Sequence, residues 1–325
     1  MRVMVIGAGG FVGRQLAARL LKLGSLRGHS LDSLVLLDQV LEGLPQDHRV
    51  RHITGNIADP TVLRRALADG VDVVFHLVSI AAGAAERDYD LGQEVNLSAS
   101  LELLNQLRNA ARPPVFVYAS SVAVYGAQLP PRMDEQLLPR PMLSYGAHKL
   151  MVETQLNDLA RRGEVDGRAL RLPGIVARPS GHTGLRSAFM SDLMHALAEG
   201  KSYCCPVSAE ATAWWMSARC CVDNLIHAAQ FRDLGIQRVW QLPVLQLSIG
   251  QVIGALAKIF GENCHDLVDY EPDADLQALF GCFPPLRTPQ ARAFGFRHDG
   301  SAQAMVRNAL SLVPWRLRVA QECLS

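Results

Sequence analysis

The sequence predicts an α/β protein: a doubly wound parallel sheet with a smaller C-terminal region. Short apolar runs at 3–6, 34–37, 50–53, 73–77 and 115–118 lack in/out alternation and read as strands buried on both faces. The segments between them have helical spacing; Leu97, Leu101, Leu104 and Leu107, for example, place one apolar stripe on one helix face. Strand-helix alternation of this kind implies parallel strands covered by helices.

Composition narrows the classes. With 325 residues, 49% hydrophobic and 19% charged, the chain is one large or two modest packed domains rather than a disordered one. The 32 basic and 31 acidic side chains leave a formal net charge of +1, so no broad field favours nucleic acid or anionic lipid. No stretch reaches the length of a membrane span, and the chain opens on a strand pattern without a cleavable leader; the expectation is a cytoplasmic protein with no membrane and no nucleic-acid partner. Seven cysteines, an odd number with no Cys-x-x-Cys, suggest neither a disulfide framework nor a metal site.

The first strand runs into Gly7-Ala8-Gly9-Gly10-Phe11-Val12-Gly13, followed by the stripe Leu16, Leu20 and Leu23. Gly7 permits the sharp turn, Gly10 lets backbone approach a pyrophosphate and Gly13 lets the helix sit close to the sheet. Phe11 and Val12 open a helix whose N-terminus offers free N–H donors. A ligand-free glycine turn is the competing reading, but strand, turn and helix all fall where a dinucleotide needs them. This context predicts a Rossmann-type sheet. The second strand ends at Asp38, placed to accept the hydroxyls of an adenosine ribose and to repel a 2'-phosphate; Gln39 and Val40 follow it with no arginine. NAD is therefore expected over NADP, with a solvated surface aspartate as the alternative. His76, inside the fourth strand, reads as a core histidine.

The fifth strand leads into Ala119-Ser120-Ser121-Val122-Ala123-Val124-Tyr125-Gly126, delivering a hydroxyl to the strand's C-terminal edge, where open sheets bind ligands. Ser121 is the candidate partner of a substrate oxygen and Ser120 its competitor as a turn hydroxyl. Tyr145 and Lys149 stand at i and i+4, one helix face. An ammonium there, with an oxidised nicotinamide, would lower the phenol's pKa and make it an acid/base. Alone, that spacing also fits an ordinary exposed helix face.

Beyond Leu172, Pro173, Pro179, Gly181 and Gly184 break the chain into loops. Helices are expected at 187–198, 222–231, 249–260 and 301–312, and a strand at 239–242 that returns to the first sheet. The expected division is a Rossmann NAD-binding domain, 1–173 and 221–248, interleaved with a substrate-binding region, 174–220 and 249–325. Trp214-Trp215-Met216 fits a lid or an apolar packing surface equally.

The glycine spacing, Ser-Ser-x-x-Val-Tyr-Gly, Tyr-x-x-x-Lys and Val95-Asn96 together resemble the extended short-chain dehydrogenase/reductases, the NAD-dependent epimerase/dehydratase family, over nearly the whole chain. The resemblance implies Ser121 as catalytic hydroxyl, Tyr145 as acid/base and Lys149 as a further holder of the nicotinamide ribose. It implies Asn96 bracing the cofactor region, Leu77, Val78 and Ser79 lining the cofactor, and Pro173 and Ile175 flanking the nicotinamide. Asn56-Ile57 would meet the adenine, with Asn56 replacing the family's usual aspartate. It also implies a homodimer through the helices around 97–107 and 145–159.

Dehydratases of that family carry Thr-Asp-Glu where this chain has Ser121-Val122-Ala123, and epimerases carry Asn-x-x-Gly where it reads 173–179 without one. The runs 161–173, Asp90-Leu91-Gly92, Cys205-Pro206-Val207 and 224–229 are similar to family members that oxidise a four-carbon sugar acid with NAD. The implied reaction oxidises the carbinol next to a carboxylate. A nucleotide-sugar epimerase and a non-catalytic NAD sensor are the alternatives. A carboxylate wants a cation, and Arg219 ranks ahead of Arg186 and His182 as the candidate.

Overall fold

The computed structural model describes residues 1–179, 186–232 and 234–312. The strands that position the site are β1 (Arg2–Ile6), β2 (Ser33–Asp38), β3 (Val50–Thr54), β4 (Val73–His76), β5 (Val115–Ser121), β6 (Asp166–Leu172), β7 (Gly174–Val176), β8 (Thr212–Ser217), β9 (Val239–Gln241) and β10 (Leu245–Ser248). The longer helices are α1 (Phe11–Leu23), α2 (Pro60–Leu67), α3 (Ala99–Leu107), α4 (Ser144–Arg161), α5 (Phe189–Ala198), α6 (Ala218–Gln230), α7 (Ile249–Phe260) and α8 (Ala302–Ala309).

Seven strands form one sheet in the order β9-β6-β5-β4-β1-β2-β3, every neighbouring pair parallel. β1 shows why its run is apolar throughout. Val3 and Val5 pack with Leu16 and Leu20 of α1 and Leu225 of α6, while Met4 and Ile6 pack on the opposite face with Leu63 of α2, Leu103 of α3 and Leu156 of α4. The strand order reverses between β1 and β4, opening a crevice at their C-terminal ends where such sheets hold ligands.

β5 extends beyond the predicted 115–118 to Ser121, because β6 stays in register with it as far as Ser120↔Arg171 and Ser121↔Leu172. Long-range pairing, not local hydrophobicity, holds the two serines extended. After β6 the chain leaves the large sheet, and β7, β8 and β10 make a three-stranded sheet. A third core of α5, α7 and α8 packs under it, and β9 then returns to the edge of the first sheet as expected. Trp214 and Trp215 lie buried in β8, their indole N–H groups donating to Pro284 and Leu247 carbonyls at 2.7 and 3.1 Å. They are packing, not lid. Among the described residues no helix is long and apolar enough to cross a membrane.

Candidate active site

The glycine turn is a close fit of backbone on backbone. A Cβ on Gly7, at φ +85°, would come within 2.7 Å of the Val78 amide nitrogen, and one on Gly13 within 2.1 Å of the Gly7 carbonyl oxygen. α1 starts at Gly10 with no side-chain cap, so its first-turn N–H groups are left to a ligand. Asp38, at the end of β2, accepts from Gly9 N at 2.9 Å and Gln39 N at 2.7 Å, which orients its carboxylate beside the turn. Asn56 accepts from Ala58 N at 3.0 Å through Oδ1, turning its amide N–H groups outward, and Ile57 beneath it is buried. These features fit a dinucleotide: an uncapped helix for the pyrophosphate, an acceptor for the ribose, an amide for the adenine.

Past β4, the segment Leu77, Val78 and Ser79 runs along the turn. Asn96 braces the next residue, accepting from Ile80 N at 2.7 Å and donating to Ile80 O at 3.1 Å. Asn96 reaches that position from a wide π-helical turn, Gln93–Ser98, which leads into the helix read from the Leu97 stripe; such turns recur at functional sites.

α4 brings Tyr145, Lys149 and Glu153 onto one face. The hydroxyls of Ser79 and Ser121 stand near enough to the Tyr145 phenol to favour its charged form. Burial pushes the phenol up from its ordinary pKa, against the pull of the two serines and of the Arg178 charge. In the protein alone, Lys149 is not among the groups that hold the phenol down. The Lys149 ammonium donates to Ala119 O at 2.8 Å and lies 4.7 Å from the Tyr118 ring centroid and 5.5 Å from that of Tyr145, over the ring rather than at the hydroxyl. Burial pushes Lys149 down to about 7, with Glu153 resisting.

The two serines part ways. Ser120 donates to Glu153 Oε1 at 2.5 Å, in a buried network where Arg171 reaches Glu153 Oε2 at 2.7 Å and the Tyr125 hydroxyl at 2.9 Å. Ser121 accepts from Ala123 N at 3.1 Å and lies close enough to the phenol to favour its charged form. Glu153 was legible as the next step of the 145, 149 spacing but went unread.

Pro173, just before β7, and Ile175 within it are buried. Of the predicted carboxylate cations, His182 lies outside the described residues. Arg186 is exposed, 3.7 Å from Asp275 at the surface. Arg219 is half-buried at the start of α6. The cation that acts on Tyr145 is Arg178, which the sequence reading passed over; its only local signal is an arginine before a proline just past a strand end. His76 is neutral core, its Nε2 2.8 Å from Ser100 Oγ and burial pushing its pKa down to about 3.

Strand order, glycine turn and the serine-tyrosine-lysine edge define the class, an extended short-chain dehydrogenase/reductase using a nicotinamide dinucleotide. The profile of the NAD dependent epimerase/dehydratase family matches residues 3–241, and the chain belongs to that family. It is 38% identical to the D-erythronate dehydrogenase of Cupriavidus necator, over 94% of this chain and 97% of the relative. It is 33% identical to that of Haemophilus influenzae, over 94% and 98%. Among solved structures, it superposes with a TM-score of 0.88 and 32% identity on one described as a nucleoside-diphosphate-sugar epimerase from Agrobacterium tumefaciens, covering 94% of this chain and 92% of that one.

Proposed function

We propose that the protein is an NAD-dependent dehydrogenase that oxidises the secondary hydroxyl next to the carboxylate of a small sugar acid, D-erythronate or a close homologue, to the 2-oxo acid. The observation that carries this reading is the near full-length likeness to two D-erythronate dehydrogenases. The convergence of Ser121 and Tyr145 supports it.

Bound NAD supplies the hydride acceptor. Gly7, Gly10, Phe11, Val12 and Gly13 hold its pyrophosphate and Asp38 its adenosine ribose. Asn56 and Ile57 meet the adenine, and Leu77, Val78, Ser79, Pro173 and Ile175 line the rest. Asn96 keeps that wall in place, and Lys149 holds the nicotinamide ribose. Tyr145 accepts the proton of the carbinol hydroxyl while Ser121 donates a hydrogen bond to the same oxygen. Residues 1–173 and 221–248 serve the cofactor, and 174–220 and 249–325 the acid. We also place the protein in the cytoplasm and as a homodimer; the apolar side chains that α4 and the turn before it leave exposed support the dimer.

The test is absorbance of NADH when the purified protein is given NAD, or separately NADP, with three- to six-carbon aldonic acids including both erythronates and threonates. NADH from one four-carbon acid with NAD is the expected result, and Tyr145→Phe should lower kcat about 100-fold or more while binding NAD as the wild type does. Wild-type turnover in that variant would overturn the mechanism. Silence across the panel would overturn the substrate class. NAD retained through purification without NADH release would favour the epimerase reading that the solved relative's description suggests.

A further inference from the structure

Arg178 follows β7 and is fixed at both backbone atoms by α5: its N–H donates to Ser191 Oγ at 3.0 Å, and its carbonyl lies 2.8 Å from His195 Nε2. From there the side chain crosses to the mouth of the glycine turn, its guanidinium carbon 5.5 Å from the centroid of the Phe11 ring. An aromatic face satisfies a guanidinium by stacking and leaves the N–H edges of its fork free. Among the described residues no carboxylate pairs with that fork and no acceptor takes a hydrogen bond from it.

The surroundings make this costly. The Arg178 side chain is withdrawn from water enough that burial lowers its pKa; the nearby groups that favour its charge are the Tyr145 phenol and the Cys221 thiol, neither of which is an anion at neutral pH. A desolvated cation without a counter-ion is retained at a cost of stability unless an anion completes it. The Tyr145 phenol is where the carbinol oxygen must arrive, and in a 2-hydroxy acid the carboxylate is one bond from that carbon.

We propose that Arg178 binds the substrate carboxylate through the free edge of its guanidinium and thereby restricts this site to small 2-hydroxy acids, an inference that rests on the sugar-acid reading above. Phe11 holds the plane of the fork, and α5 holds its root. A neutral polyol or sugar amide of the same length would reach Tyr145 and Ser121 but leave the half-buried Arg178 unpaired, and a site built around an unpaired charge rejects an uncharged analogue in this way.

The experiment compares wild type with Arg178→Met and Arg178→Lys on three readouts. The first is NAD affinity by fluorescence titration. The second is the affinity of oxalate, a non-reacting planar diacid, for the protein with NADH bound, followed by calorimetry. The third is the ratio of kcat/KM for the acid found above to that for its neutral amide. Arg178→Met should bind NAD as the wild type does, lose oxalate affinity about 100-fold and lose most of the acid-over-amide preference. Arg178→Lys should fall between the two, because it keeps the charge and loses the fork. Normal NAD binding also establishes that the variants fold. Oxalate affinity within about twofold of wild type in Arg178→Met would overturn the proposal, as would weakened NAD binding alone, which would assign Arg178 to the cofactor's pyrophosphate. Oxalate binding that depends on Arg178 in a protein that oxidises none of the sugar acids would support the anion site and overturn the substrate reading instead.

Discussion

Lys149 holds its ammonium against the carbonyl of Ala119, shut off from water, and that placement sets how the site answers pH. Its pKa in the folded protein is about 7, against 10.5 for an ordinary lysine. Between those values the unfolded chain binds a proton that the folded one releases, so stability rises with pH above 7. In the protein without cofactor, the stability of the wild type relative to Lys149→Met should increase by about 1 kcal/mol per pH unit from pH 7 to 8.5. Urea denaturation at several pH values checks it, and a flat difference would mean that Lys149 stays charged in the fold. The Tyr145 phenol has the opposite problem, being pushed up by burial. Its relief in the protein alone comes from Ser79, Ser121 and Arg178, three residues from three separate stretches of chain.

At the scale of the element, two helical glycines answer the same substitution in opposite ways. Gly13 in α1 has the Gly7 carbonyl 2.1 Å and the Ala8 Cα 2.9 Å from where its Cβ would stand, and neither is a side chain that can swing away. Gly13→Ala should therefore cost about 1–3 kcal/mol by overpacking and move α1 off the turn, weakening NAD binding measured by titration. Gly254 in α7 has nothing within 4 Å of its Cβ position. Gly254→Ala should stabilise by up to about 1 kcal/mol, read as a raised urea midpoint with NAD binding unchanged. Helix propensity decides the second case; at Gly13 it is outweighed by contact with the sheet.

For the whole molecule, α4 presents one face to the site and another outward. Tyr89, whose ring lies 6.0 Å from that of His148, and Met151, one turn further along α4, remain 55% and 45% exposed. Apolar side chains grouped beside a long helix are what a two-fold helix pairing would cover. The purified protein should sediment as a dimer, and Met151→Glu should shift it toward monomer by placing a charge in the seam. A wild-type monomer at micromolar concentration would remove the homodimer from the proposed function.

Strand runs, glycine turn, Asp38 and the Tyr145/Lys149 pair were all legible in the sequence, because each is specified by spacing within one turn, one strand or one helix face. The family's likeness added Ser121 and Asn96. What the sequence left open depends on which distant segments meet. The choice between Ser120 and Ser121 is made by the register of β5 on β6, which sends one serine to Glu153 and the other to Tyr145. The wide turn at Asn96 brings its amide to the backbone of Ile80, sixteen residues away in the chain. Arg178, standing before a proline in a loop, carries no local mark of its place. Its guanidinium reaches the glycine turn because Ser191 and His195 on a later helix hold its backbone, and such contacts between residues far apart in the chain exist only once the two cores have packed.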